Sequence, residues 1–193
     1  MLGWLLACAP GPFTAEEADV VYDALSTVND DAYASIYDFS APEDDEAAGG
    51  AAAKGLFWHT AEDGGTFNGT VEGPGSWTGT VEVDGDYNVL RDDASVWSVV
   101  WSLDATYVDV AYGALRLDGK VRWNIQANAT GSTFTHTSTV RGDIVGHGLA
   151  LGEGPVEYET TVSLAGGRYQ VQTTGSVGGH DISTSYDATA FGL

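Results

Sequence analysis

Two periods divide the chain. Between residues 13 and 39 apolar side chains return every third or fourth position, at Ala18, Val21, Tyr22, Leu25 and Val28. That spacing is one face of an amphipathic helix turned toward a core. Its start is marked by Thr14-Ala15-Glu16-Glu17, a capping box with Thr14 as N-cap and Glu17 reaching back from the third helical position. Phe13, just before the cap, is placed to staple onto Ala18. Asn29-Asp30-Asp31 interrupts the stripe, so the segment reads as one or two short helices, the second presenting Tyr33, Ile36 and Tyr37.

From residue 54 onward the period becomes two. Trp77, Gly79, Val81 and Val83 alternate with Thr78, Thr80 and Glu82; Val121, Trp123, Ile125 and Ala127 do the same, as do Val156, Tyr158, Thr160 and Val162. The intervening positions are Thr, Ser, Gln, Glu and Asp, the pattern of antiparallel strands with one face buried and one solvated. Turn residues punctuate them at Gly73-Pro74-Gly75, Asp84-Gly85, Asp118-Gly119, Gly146-His147-Gly148, Ala165-Gly166-Gly167 and Gly178-Gly179. Asp118-Gly119 is the strongest two-residue hairpin signal among them. Phe67–Glu72 is echoed by Trp77–Glu82, which reads as two arms of one hairpin. The fold class is mainly β: an antiparallel meander of about 8–10 strands, forming a barrel or strongly curved sheet, preceded by one or two short N-terminal helices. The organisation is then a tether over residues 1–12, a helical segment over 13–39, an acidic Ala/Gly linker or loop over 40–53, and the β domain over 54–193.

Charge changes the picture more than composition does. The 28 acidic and 7 basic side chains leave −21 at pH 7 on 193 residues. Nucleic-acid binding needs a basic stripe that releases counterions, and this chain has none. A hydrophobic fraction of 43% excludes a disordered acidic tail. Surfaces this acidic stay hydrated at high salt, where self-repulsion is screened, and they attract loosely bound cations.

The one cysteine, Cys8, sits at the end of Leu5-Leu6-Ala7-Cys8 and before Ala9-Pro10-Gly11-Pro12. This stretch resembles the lipobox of bacterial lipoproteins. The resemblance implies diacylglycerol attached through a thioether to Cys8, cleavage before it, and fatty acylation, palmitate included, of the new amino terminus. Residues 1–12 are then a truncated signal and tether, and the protein is lipid-anchored in the cell envelope. Ala9 in place of aspartate favours the outer membrane by the same resemblance.

Candidate chemistry is sparse. His59, His136, His147 and His180 match no ligand spacing; His147, His180 and Asp181, with Asp118, could meet at one end of a meander, but solvated turn histidines are the plainer reading. Asp84-Gly85-Asp86, Asp92-Asp93 and Asp30-Asp31 lack the calcium loop's terminal glutamate. No Gly-x-Ser-x-Gly occurs, and Glu157 and Glu159 share a hydroxyl-rich strand face. No catalytic residue, metal or cofactor is expected. The suggestive material is aromatic: Trp97, Trp101 and Trp123 would line a barrel mouth and hold a small apolar or glycan ligand. The alternatives are a structural, hydrating surface lipoprotein without a ligand and, third, an outer-membrane β-barrel.

Overall fold

A computed structural model describes residues 11–38, 53–61, 64–93, 96–130 and 132–189. Cys8 and the segment 40–52 lie outside the described residues, as do the side chains of Ile36, Tyr37, Trp58, His59, Phe67, Asp92, Asp93 and Trp97.

One helix precedes nine strands. The helix α1 (Ala15–Asp38) is followed by β1 (Ala53–Ala61), β2 (Gly64–Glu72), β3 (Thr78–Asp93), β4 (Val96–Tyr112), β5 (Leu115–Thr130), β6 (Thr133–Gly148), β7 (Gly152–Ala165), β8 (Arg168–Val177) and β9 (His180–Thr189). Every strand pairs antiparallel with its sequence neighbours, in the order β1 to β9. The chain is a meander, as the alternation implies, and β1 and β9 share no ladder among the described residues. The echoed hexapeptides do form one hairpin, with Val71 opposite Val81 in the β2–β3 ladder.

The helix starts where the capping box places it. The Thr14 backbone N–H donates to Glu17 Oε2 at 2.8 Å, and the Glu17 N–H returns to Thr14 Oγ1 at 3.3 Å. Of the one or two helices open to the sequence there is one: α1 runs unbroken for 24 residues through Asn29-Asp30-Asp31. The reason is tertiary. Asn29 is buried and donates from Nδ2 to the Tyr158 hydroxyl at 2.9 Å, while the Tyr107 hydroxyl donates to Asn29 Oδ1. Asp31 Oδ2 accepts from Ser76 Oγ at 2.9 Å and from the Trp77 indole at 3.0 Å. Polar side chains that would break a solvated helix are here its attachment points.

Tyr107 lies on β4 and Tyr158 on β7, three strand intervals apart. In a flat sheet that is about 14 Å. One amide reaches both hydroxyls because the sheet curls around α1. Its inward face supplies Val81, Val83, Leu103, Ala105, Val121, Ile125, Val140, Ile144 and Val156, which form one core with Ala18, Val21, Ala24, Leu25, Val28 and Ala32 of the helix. Alanine at three of those helical positions lets the backbone approach the sheet closely.

Two Asp-Gly pairs read as turns lie inside strands. Asp84-Gly85 sits within β3 opposite Asp104 and Leu103, and Asp118-Gly119 within β5 opposite Val145 and Ile144. The β4–β5 turn is at Gly113-Ala114 instead. Asp118 serves a bulge: its Oδ1 accepts from the backbone N–H of Asp109 at 3.0 Å, and Asp109 has a φ of 51°. Arg116 holds the Asp109 carboxylate at 2.8 Å. Across from the bulge stands Gly79, where an added Cβ would lie 2.3 Å from the Asp109 carbonyl. Only glycine permits that approach.

Phe13 does more than staple. It is 2% exposed, and its ring seats against glycines of β6, β7 and the β8–β9 turn. A Cβ at Gly152 would stand 2.6 Å from the ring, at Gly146 and Gly178 2.9 Å. The neighbouring backbone is tied to the same place, since Glu153 N–H donates to the Gly11 carbonyl at 2.9 Å and Leu151 N–H to Glu17 Oε1 at 3.1 Å.

Candidate functional site

Between α1 and the inner face of β6–β9 lies a cleft of about 430 Å³. That is within the range of about 300–1,000 Å³ typical of small-ligand sites. The helix contributes Tyr22, Asn29, Asp30 and Tyr33; the sheet contributes His136, Ser138, Tyr158, Thr160, Tyr169 and Thr173 among others. By their places along the strands, His136, Val162 and Tyr169 set the cleft toward the end of the sheet opposite Phe13.

The period-two pattern explains how these side chains converge. His136 and Ser138 share the inward side of β6 with Val140, Thr160 shares that of β7 with Tyr158, and Thr173 that of β8 with Val171 and Tyr169. Elsewhere the inward residues are mostly aliphatic or buried aromatic; at the cleft His136, Ser138, Thr160, Thr173 and Tyr169 join Val162 and Val171. Thr160 and Thr173 hydroxyls meet at 2.9 Å across the β7–β8 ladder. Tyr22 lies edge-on to Tyr158, with ring centroids 5.3 Å apart and planes at 85°. At the rim, Tyr169 and Tyr186 are 6.4 Å apart, and Tyr186 is 61% exposed.

The electrostatics of the cleft favour neutral groups. Burial pushes the His136 imidazole below its usual range, which keeps it uncharged near neutrality. Its Nε2 is buried without a hydrogen-bond partner among the described residues. Burial, and then the adjacent Asp31 charge, raise the Asp30 carboxyl; the residue is accessible at the cleft edge, but protein surrounds its inward side. Burial likewise raises the Tyr107 and Tyr158 phenols, so the network around Asn29 stays neutral. Among the described residues no Lys or Arg lines the cleft. Aromatic faces with many hydroxyl donors and acceptors suit an uncharged ligand with polar edges.

Two of the tryptophans singled out by sequence, Trp101 and Trp123, lie elsewhere. Trp101 is 4% exposed and stacks on Tyr87, its partner across the β3–β4 ladder, at 4.9 Å. Trp123 is fully buried, with Tyr33 of the helix edge-on at 4.8 Å. Both belong to the core that the sheet forms with α1, and neither lines the cleft. The Trp97 side chain is outside the described residues. Sequence reasoning passed over His136, Tyr22 and Tyr169 as site residues. The available signal was the run of Ser138, Thr160, Thr173 and Thr184 on the side of the alternation that should be apolar.

The other constellations separate. His180 Nε2 donates to the Phe13 carbonyl at 2.8 Å, while His147 Nε2 stands 3.8 Å from Asp118. Among the described residues no three His, Cys, Asp or Glu side chains are grouped to hold a metal ion. Outward faces carry paired charges: Arg141 with Glu157 at 3.0 Å and Arg122 with Asp104 at 3.4 Å, all well exposed. No family model matches this chain, and neither the curated proteins nor the solved structures contain a match to it.

Proposed function

We propose that this chain is an acidic, envelope-anchored binding lipoprotein, held by lipid on Cys8, that takes a small uncharged ligand without chemical change. The cleft between α1 and β6–β9 is the observation that carries the reading. Of the two ligand classes open to the sequence, its hydroxyl-rich lining favours a glycan over a purely apolar molecule, with Tyr169 and Tyr186 as a stacking rim. The outer-membrane barrel fits less well: Glu82, Asp84, Asp104, Lys120, Arg122, Arg141 and Glu157 all point outward. Each Arg or Lys facing lipid at mid-depth costs about 2–4 kcal/mol.

A structural, hydrating role without a ligand is supported by one fact, the filling of much of the inner face by α1. Native mass spectrometry of protein taken from its own envelope separates the two readings. The binding reading expects a copurified mass that Tyr169→Ala and His136→Ala lose. Bare protein, together with no thermal shift across neutral mono- and oligosaccharides, refutes it. Fatty-acid labelling of the full gene beside Cys8→Ser tests the anchor; equal labelling of both forms would exclude it.

A further inference from the structure

The β6–β7 turn carries an exposed apolar pair. Leu149 and Leu151 are 64% and 63% exposed, whereas Ala150 between them is fully buried. The alternation pins both leucines outward. The turn is also held against the first described residues: Leu151 N–H donates to Glu17, and Glu153 N–H to the Gly11 carbonyl. Cys8 precedes Gly11 by three residues in sequence. Fully extended, three residues span at most about 11 Å. A lipid on Cys8 therefore cannot sit far from this turn.

From this placement we infer that Leu149 and Leu151 are a membrane-seating tip, dipping into the bilayer surface beside the lipidated cysteine. The inference rests on the anchor reading. Its occupant is the bilayer because the tether ends there. Glu153 and Glu16 stand exposed on the neighbouring chain, so a zwitterionic surface fits and an anionic one repels. The seated tip would orient the β domain with its turns 113–114, 149–151 and 178–179 toward the membrane. The Tyr169 end of the cleft would then face away from the membrane, open to diffusing ligand.

Cys8 is the only thiol, so the full chain, produced where no lipoprotein processing acts on it, accepts one fourteen-carbon chain through a maleimide. A single such chain binds bilayers only marginally, with a constant of about 10⁴ M⁻¹, which leaves room to measure added affinity. Partition onto phosphatidylcholine vesicles is compared for the wild type and for Leu149→Ser/Leu151→Ser, with thermal melts confirming that both fold. Each leucine buried is worth about tenfold, so the double variant should partition roughly a hundredfold more weakly. Equal partition overturns the proposal. So does a concentration-dependent dimer, seen by sedimentation without lipid and lost in the variant, because a second copy then covers the leucines. Failure of fatty-acid labelling in cells strikes the anchor alone and leaves the vesicle result to judge the tip.

Discussion

Phe13→Ala removes a ring that is 2% exposed and packed against Gly146, Gly152 and Gly178. Truncation of a buried phenylalanine costs about 3–5 kcal/mol. At about 2–4 °C per kcal/mol for a chain of this size, Tm should fall by about 6–20 °C. Loss of packing alone would not prove that the glycines exist for the ring. The stronger test is a cycle with Gly152→Ala. In the native seat the new Cβ stands 2.6 Å from the Phe13 ring and 3.0 Å from the Gly11 carbonyl oxygen. Overpacking of this kind costs about 1–3 kcal/mol. With the ring gone, the shortest contact disappears and the methyl group enters the space it left. Gly152→Ala should then cost less than about 1 kcal/mol, a coupling well beyond the additivity limit of about 0.5 kcal/mol. Urea unfolding of the full chain and its three variants supplies the four free energies. Equal cost of Gly152→Ala in both backgrounds would refute the seat.

Three further outcomes are expected. Asn29→Ala leaves the buried Tyr107 and Tyr158 hydroxyls without their shared partner and should destabilise by about 2–4 kcal/mol in urea titration; a loss under 0.5 kcal/mol would mean the network is not satisfied through Asn29. His136, held neutral by burial, binds its proton less readily folded than unfolded. Stability is therefore fully present above the ordinary histidine range and declines as pH falls through it toward the lower folded value. His136→Gln should flatten that part of the Tm–pH curve, and an unchanged slope would contradict the burial argument. Finally, a net charge of −21 predicts that Tm rises from low salt to about 1 M as self-repulsion is screened; a flat profile would show that the carboxylates are already well spread.

Elements governed by near neighbours were readable from the residues. Thr14 and Glu17 cap a helix because both partners lie within one turn, and the Val-x-Val alternation yields strands because burial of one face selects it. Turns at Gly73-Pro74-Gly75, Gly166-Gly167 and Gly178-Gly179 are likewise local, and the structure has them there. Features with distant partners were not readable. Asp118-Gly119 has hairpin chemistry, yet its carboxylate is used on Asp109 and the strand runs through. Asn29 and Asp31 look like a helix break until Tyr107, Tyr158 and Trp77 are brought to them.

The same division governs the candidate site. Residue order and periodicity set the classes of side chain, the acidic exterior, the inward faces of the strands and the apolar stripe of the helix. Which inward positions α1 covers was settled by packing between distant elements. That packing placed Trp101 and Trp123 in the core as filling and left His136, Thr160 and Tyr169 to line a cleft. The physical reason is that periodicity fixes which face a residue occupies, whereas its cover depends on where another element crosses that face.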